Sequence, residues 1–270
     1  MFWNNFPPAF PGSIGTVFTA IQILAVVTSF GAEANPETRT PYSKFSAAKH
    51  DSSSWSSRFA MMVIYTPAFI ASVGLLALGL YGVDAIGPIT VPAPSLAAFL
   101  SAVHFCKRCL EVTFLHKYSG CTSRGTPAFI SVYYTFVTLL IAHASGGMDR
   151  DVSNTAKTFG VAIFAIGIAG NFYHHYLLAR LRSGNNGSTE SKKYVAPRGG
   201  LFAYVATPHY LFELIGWLGI AIVSNHLNSY LIFATMCSYL AGRSVAQNEF
   251  NRANFKDWPI GRKNLIPFVF

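Results

Sequence analysis

Seven stretches of mostly apolar residues, each near the length needed to cross a bilayer, constrain this chain more than any other feature. They cover about 13–31, 59–83, 94–116, 127–147, 156–180, 208–224 and 227–250. A helix needs roughly 20 apolar residues to span the hydrocarbon core, and only a helix or a closed barrel satisfies its own backbone there. Composition agrees. Only 11% of the 270 residues are charged and 51% are hydrophobic, which leaves a soluble surface hard to cover. The expected fold is therefore an all-α integral membrane domain over 1–270, with seven transmembrane helices.

The basic residues orient it. With the N-terminus in the lumen, one side receives Arg39, Lys44, Lys49, Arg58, Lys117, Arg124, Arg180, Arg182, Lys192, Lys193, Arg198, Arg243, Arg252, Lys256, Arg262 and Lys263. The other side receives only Arg150 and Lys157. Positive loops stay cytosolic, so the C-terminus is expected in the cytosol. The net charge of +9 then reports topology and headgroup attraction, and nucleic acid is not an expected partner. Met1 to Gly12 lacks the basic start of a signal peptide, so the first block reads as a retained span. The sequon at Asn186 falls in a polar cytosolic loop and is expected to stay unmodified.

Ionisable residues inside spans are costly and normally face a bundle interior. Here they gather at the cytosolic ends, which predicts one polar chamber opening there. The third span carries His104, Lys107, Arg108 and Glu111. Either cation can pair with Glu111 at i,i+4 or i,i+3. They form an internal ion pair or part of a binding wall. In the fifth span Asn171, His175 and Arg182 share a face. The arginine there suits phosphate binding or simply marks the boundary. The sixth opens Thr207-Pro208-His209-Tyr210 and runs to Glu213. These side chains make either a donor network around a carbonyl or cofactor, or an interfacial aromatic with its partner. In the last span Arg243, Gln247 and Asn251 share a face.

Several chemistries lack their motifs. No GxGxxG, GxSxG or HExxH is present. Cys106 and Cys109 form a lone CxxC, expected to be buried thiols in a helix. Adjacent His174 and His175 cannot both face one zinc ion. No metal is expected.

The stretches Asn171 to Arg182, Tyr194 to Val205, Thr207 to Glu213 and Phe255 to Phe270 resemble the steroid 5α-reductase superfamily in order and spacing. That group includes steroid 5α-reductases, very-long-chain enoyl-CoA reductases and polyprenol reductases. The resemblance covers about 160–270 and is weaker before it. It implies seven helices around a cavity for NADPH and a lipid. It places Asn171, His175, Arg182, Tyr194, Glu213, Arg243 and Gln247 at the cofactor. It places His209 and Tyr210 at the cofactor–substrate junction, with Tyr210 the expected proton donor. In steroid reductases a Glu-Tyr pair holds the 3-oxo group; the matching positions here are Tyr65 and Phe105.

Lys107 to Ser119 is instead similar to the enoyl-CoA branch, with Phe105, Arg108 and Glu111 expected along the substrate cavity. That branch usually carries an N-terminal ubiquitin-like domain, which is not expected to fit within Met1–Gly12. The implied function is NADPH-dependent reduction of a conjugated double bond in a membrane lipid of the endoplasmic reticulum. A long-chain trans-2-enoyl thioester is the leading substrate. Steroid and polyprenol substrates are alternatives, and other lipid-synthesis enzymes of that membrane are candidate partners. A membrane methyltransferase and a seven-helix transporter or receptor are the rival classes.

Overall fold

A computed structural model describes residues 7–46, 53–87, 89–146, 152–183 and 195–270. The sequon at Asn186 and the whole of Tyr194 lie outside them, as does the side chain of Arg182.

Seven helices of three or more turns stand among the described residues: α1 (Gly12–Ala34), α2 (Ser57–Leu80), α3 (Leu96–Leu110), α4 (Gly125–Gly146), α5 (Asn154–Ser183), α6 (Pro208–Ser224) and α7 (Leu227–Asn254). They fall on the seven apolar blocks. Four of them, α1, α2, α4 and α5, are long and apolar enough to cross a membrane, so the chain is a multi-pass membrane protein. The other three depart for separate reasons. α6 has 17 residues, about 25 Å at 1.5 Å per residue. α7 is long, but its second half is polar. α3 gives way at Glu111 to a π turn, Glu111–Leu115, closed by the His116 amide donating to Glu111 O at 2.8 Å.

Strands are confined to two small ribbons. β1 (Ser54–Ser56) pairs antiparallel with β4 (Cys121–Ser123), and β2 (Ala85–Ile86) with β3 (Ile89–Thr90). The first ribbon ties the entry of α2 to the entry of α4.

The helices pack mainly as three pairs, α5 on α6, α1 on α7 and α2 on α4. Without a hydrophobic drive between helices in lipid, close backbone approach and buried hydrogen bonds do this work. At Gly167 on α5 an added Cβ would lie 2.2 Å from the Gly216 backbone nitrogen of α6. The α1–α7 pair is pinned by Asn228, whose Nδ2 donates to Gln22 Oε1 at 2.6 Å and Thr19 Oγ1 at 2.9 Å. Gln22 Nε2 returns a bond to Asn228 O at 3.2 Å. Both amides are buried, so each bond also avoids an unsatisfied polar group. Cys106 and Cys109, expected to be buried, are half-buried free thiols on α3.

The tail folds back on the bundle. The Ala206 and Thr207 amides donate to Lys263 O and Asn264 O, and Thr207 Oγ1 donates to Asn264 O at 2.8 Å. Thr207 precedes α6 as the sequence predicts, but its hydroxyl caps no helical amide. It fastens the tail, and the tail thereby fixes where α6 begins.

Gly167→Val forces a branched side chain into the α6 backbone. It is expected to lower stability by about 3 kcal/mol or to prevent accumulation, read as the unfolding midpoint in mild detergent. An unchanged midpoint would show that α5 and α6 are not in backbone contact.

Candidate functional site

Helices that alternate in direction bring the starts of α2, α4 and α6 to the same end of the bundle as the finishes of α1, α3, α5 and α7. The polar residues gather at that end. They line one cavity whose wall includes Tyr42, Lys44, Tyr65, Arg108, His116, Lys117, Tyr134, Asn171, His175, His209, Tyr210, Glu213, Tyr239, Arg243 and Gln247.

At the centre of the polar cluster lies Glu111, only 2% exposed. Its carboxylate accepts from Arg108 Nη1 at 2.6 Å and pairs with Lys107 Nζ at 2.8 Å. The i,i+3 and i,i+4 spacings thus act together. His175 Nδ1 of α5 lies 3.1 Å from both Glu111 Oε2 and Arg108 Nη1. The π turn has a consequence here. It carries His116 round to the same carboxylate, 3.9 Å away, against the His175 ring. Such turns recur at functional sites.

Two further bonds spread this cluster. Arg108 Nη2 donates to the Tyr65 hydroxyl of α2 at 2.6 Å, and the guanidinium carbon stands 4.6 Å from that ring's centre. Lys107 Nζ donates to Asn171 Oδ1, and Asn171 Nδ2 donates to His209 O at 2.8 Å. One buried network therefore connects α2, α3, α5 and α6.

Glu111, His116 and His175 have the composition of a metal site, with ligand atoms within 4.8 Å of one another. The Arg108 guanidinium sits among them, and its charge opposes a cation there. His174 turns away. Its Nδ1 bonds Gly170 O at 2.7 Å and its Nε2 accepts from the Leu201 amide at 3.2 Å. This docks the turn at Gly199 and Gly200. Gly200 has φ +50°, and a Cβ on it would meet His174 Nε2 at 2.9 Å, so glycine is required.

Some expected residues stand elsewhere. Phe105 does not line the cavity. It is 0% exposed, packed against His104, Tyr134 and Trp217, because the apolar face of α3 turns into the core. Glu111 also stands behind the wall, held there by its two cations. Glu213 does line it, but its partner is His104 Nε2 at 3.4 Å, whereas the spacing suggested His209 or Tyr210. Arg243, expected at the cofactor, gives both Nη atoms to the chain itself: Glu33 Oε1, Thr40 O at 2.9 Å and Tyr42 O at 3.0 Å. Gln247 Nε2 donates to Asn251 Oδ1 at 2.9 Å. For Arg182 and Tyr194 the relevant atoms lie outside the described residues.

Sequence reasoning missed Glu33, Tyr42 and Tyr134. Glu33 did carry a signal. It lies in the last turn of α1, where the helix dipole disfavours a carboxylate, so a buried cation was needed to hold it.

A multi-pass helical bundle with a polar chamber at one end of its helices is thus the class. A family model for 3-oxo-5-alpha-steroid 4-dehydrogenase matches residues 119–270, and the chain belongs to that family. It is 29% identical over 225 residues to 3-oxo-5-alpha-steroid 4-dehydrogenase 2 of Rattus norvegicus, covering 79% of this chain and 81% of the relative. It is also 29% identical over 180 residues to the very-long-chain enoyl-CoA reductase of Dictyostelium discoideum, covering 66% and 58%. Identity to 3-oxo-5-alpha-steroid 4-dehydrogenase 1 of Homo sapiens is 30% over 183 residues, covering 65% and 66%. The named relatives are all reductases or dehydrogenases.

Arg108→Met removes one of the two cations that balance buried Glu111. Breaking such a pair costs about 3–5 kcal/mol; the lower end is expected because Lys107 remains. Chemical denaturation in detergent checks this, and a loss under about 1 kcal/mol would show that Glu111 does not depend on Arg108.

Proposed function

We propose that this protein is an NADPH-dependent reductase of a conjugated carbon–carbon double bond in a membrane lipid, with a long-chain trans-2-enoyl thioester as substrate. The observation that carries the reading is the arrangement of Tyr65, Arg108 and Tyr210 around one cavity. The proposed setting is the endoplasmic reticulum membrane. There the chain forms a single polytopic domain of seven spans, N-terminus lumenal and C-terminus cytosolic, in which the chamber faces cytosolic cofactor.

The wall suits a polyphosphate cofactor. Lys44 and Lys117 line it beside Arg108 and Arg243, which are already paired with Glu111 and Glu33. Asn171, His175, Glu213 and Gln247 would hold the cofactor by hydrogen bonds, and Arg182 and Tyr194 are proposed for the same role from the family resemblance. A reduced nicotinamide held by these residues would supply the hydride of the reaction.

The remaining work falls to the chain. Charge develops on the substrate carbonyl oxygen and must be met by preorganised donors. The Tyr65 oxygen accepts from Arg108, which polarises the phenol and leaves its own proton to be donated into the cavity. Tyr210 lines the same cavity and delivers the proton to the α-carbon. The O–H bond breaks as the C–H bond forms, and the phenolate recovers a proton from cytosolic water. His209 packs on the Tyr210 ring at 4.3 Å between centres and holds its orientation.

The thioester is preferred because Phe105, fully buried and apolar, stands where the steroid enzymes' second 3-oxo contact is expected. A 3-oxo-4-ene steroid is the second reading, favoured by the larger coverage of the rat steroid dehydrogenase, 81% against 58% for the Dictyostelium discoideum enzyme.

Tyr210→Phe is expected to lower turnover by about 10²–10⁴-fold while NADPH affinity, read by cofactor fluorescence, is kept. Tyr65→Phe is expected to lower it by about 10²–10³-fold. Wild-type turnover in either variant removes that residue from its role. For topology, the sugar-free state expected at Asn186 is checked by endoglycosidase treatment of the protein from microsomes. A mobility shift abolished by Asn186→Gln would reverse the orientation.

A further inference from the structure

Glu33 takes no part in the reading above, yet it is one of the most deeply buried carboxylates of the described chain, 2% exposed. The α1 C-terminus is a poor place for it, and a buried unpaired charge costs several kcal/mol. Arg243 of α7, also 2% exposed, is its counter-ion.

The pair does more than neutralise itself. Glu33 Oε2 accepts from the Thr40 amide at 3.0 Å and the Thr40 hydroxyl at 2.8 Å. The Arg243 guanidinium donates to Thr40 O and Tyr42 O and lies 4.2 Å and 4.4 Å from the ring centres of Tyr42 and Phe45. Residues 35–45 are thereby strapped across the open end of the bundle, and Tyr42, Lys44 and Phe45 become part of the cavity wall. On its other side Arg243 lines the same cavity as Tyr210. A single guanidinium, aimed by Glu33, thus joins the strap to the wall on which Tyr210 stands.

We propose that Glu33 is a positioning residue for catalysis: through Arg243 it sets the Tyr210 hydroxyl and holds the 35–45 strap as a wall of the cavity. The proposal rests on the reading of Tyr210 as proton donor. When Tyr210 gives up its proton the phenolate shares its cavity wall with the Arg243 guanidinium, whose charge Glu33 helps to aim alongside Thr40 O and Tyr42 O.

The test uses the full chain in lipid nanodiscs with NADPH and a long-chain trans-2-enoyl-CoA. Glu33→Gln keeps the shape and removes the charge. Misplacement of this kind costs up to ~10²-fold; kcat is expected to fall by about 10-fold or more, with a larger solvent deuterium isotope effect because the proton step has become slow. Thr40→Val, which removes one bond to Glu33 at a half-buried position, shifts both quantities the same way by less, and carries the test if Glu33→Gln does not accumulate. An active wild type with both variants unchanged, or with kcat reduced at a constant isotope effect, overturns the assignment alone. A wild type that reduces neither the thioester nor an enone steroid overturns the functional reading and the Glu33 assignment with it.

Discussion

The Glu111 carboxylate is the constraint around which this end of the molecule is organised. A charge buried this deeply is tolerable only among opposite charges and donors, and these come from different helices. Arg108 and Lys107 stand on its own helix, while His175 reaches it from α5. The same two cations then bind Tyr65 and Asn171, and Asn171 reaches α6. The chamber's geometry is in this sense built around the charge balance of one carboxylate. That arrangement leaves Tyr65 with its oxygen occupied and its proton to give, which is the state a carbonyl-binding phenol needs.

A second buried pair does the equivalent at the rim. Glu33 and Arg243 connect the first and last helices, which also share the Asn228–Gln22 bonds. The Glu111 cluster fixes the floor and the Glu33 pair fixes the strap. Between them lie His209 and Tyr210, whose helix start is set by the tail through Thr207 and Asn264. The proposed reacting groups sit on helices, and loops contribute mainly the outer wall. Precision of this kind is what proton transfer to a carbon requires.

Much of the scaffold was legible in the sequence. Apolar blocks fell on all seven long helices of the described residues, four of which are long and apolar enough to cross a membrane. Pro208 marked the start of α6. The gathering of polar residues at one end was also readable, since charges inside spans have few places to go. Side-chain partners were less readable. The i,i+3 and i,i+4 rules found Lys107, Arg108 and Glu111, but they have nothing to say about Glu33 and Arg243, which are 210 positions apart. Glu213 was assigned to neighbours on its own helix and belongs to His104 on another. Phe105 was placed by alignment with a polar site and lies in the core. The π turn was invisible because one extra residue per turn leaves no hydropathic trace, yet it brings His116 to Glu111.

The claim at the centre is hydride transfer to a conjugated lipid. Its most direct test is mass spectrometry of the product formed from a long-chain trans-2-enoyl-CoA by the purified protein. The reductant is NADPH carrying deuterium at its transferable position. The account predicts a saturated acyl-CoA with a single deuterium, placed on the β-carbon. Product without deuterium, deuterium at the α-carbon, or no product while NADPH is oxidised would contradict it.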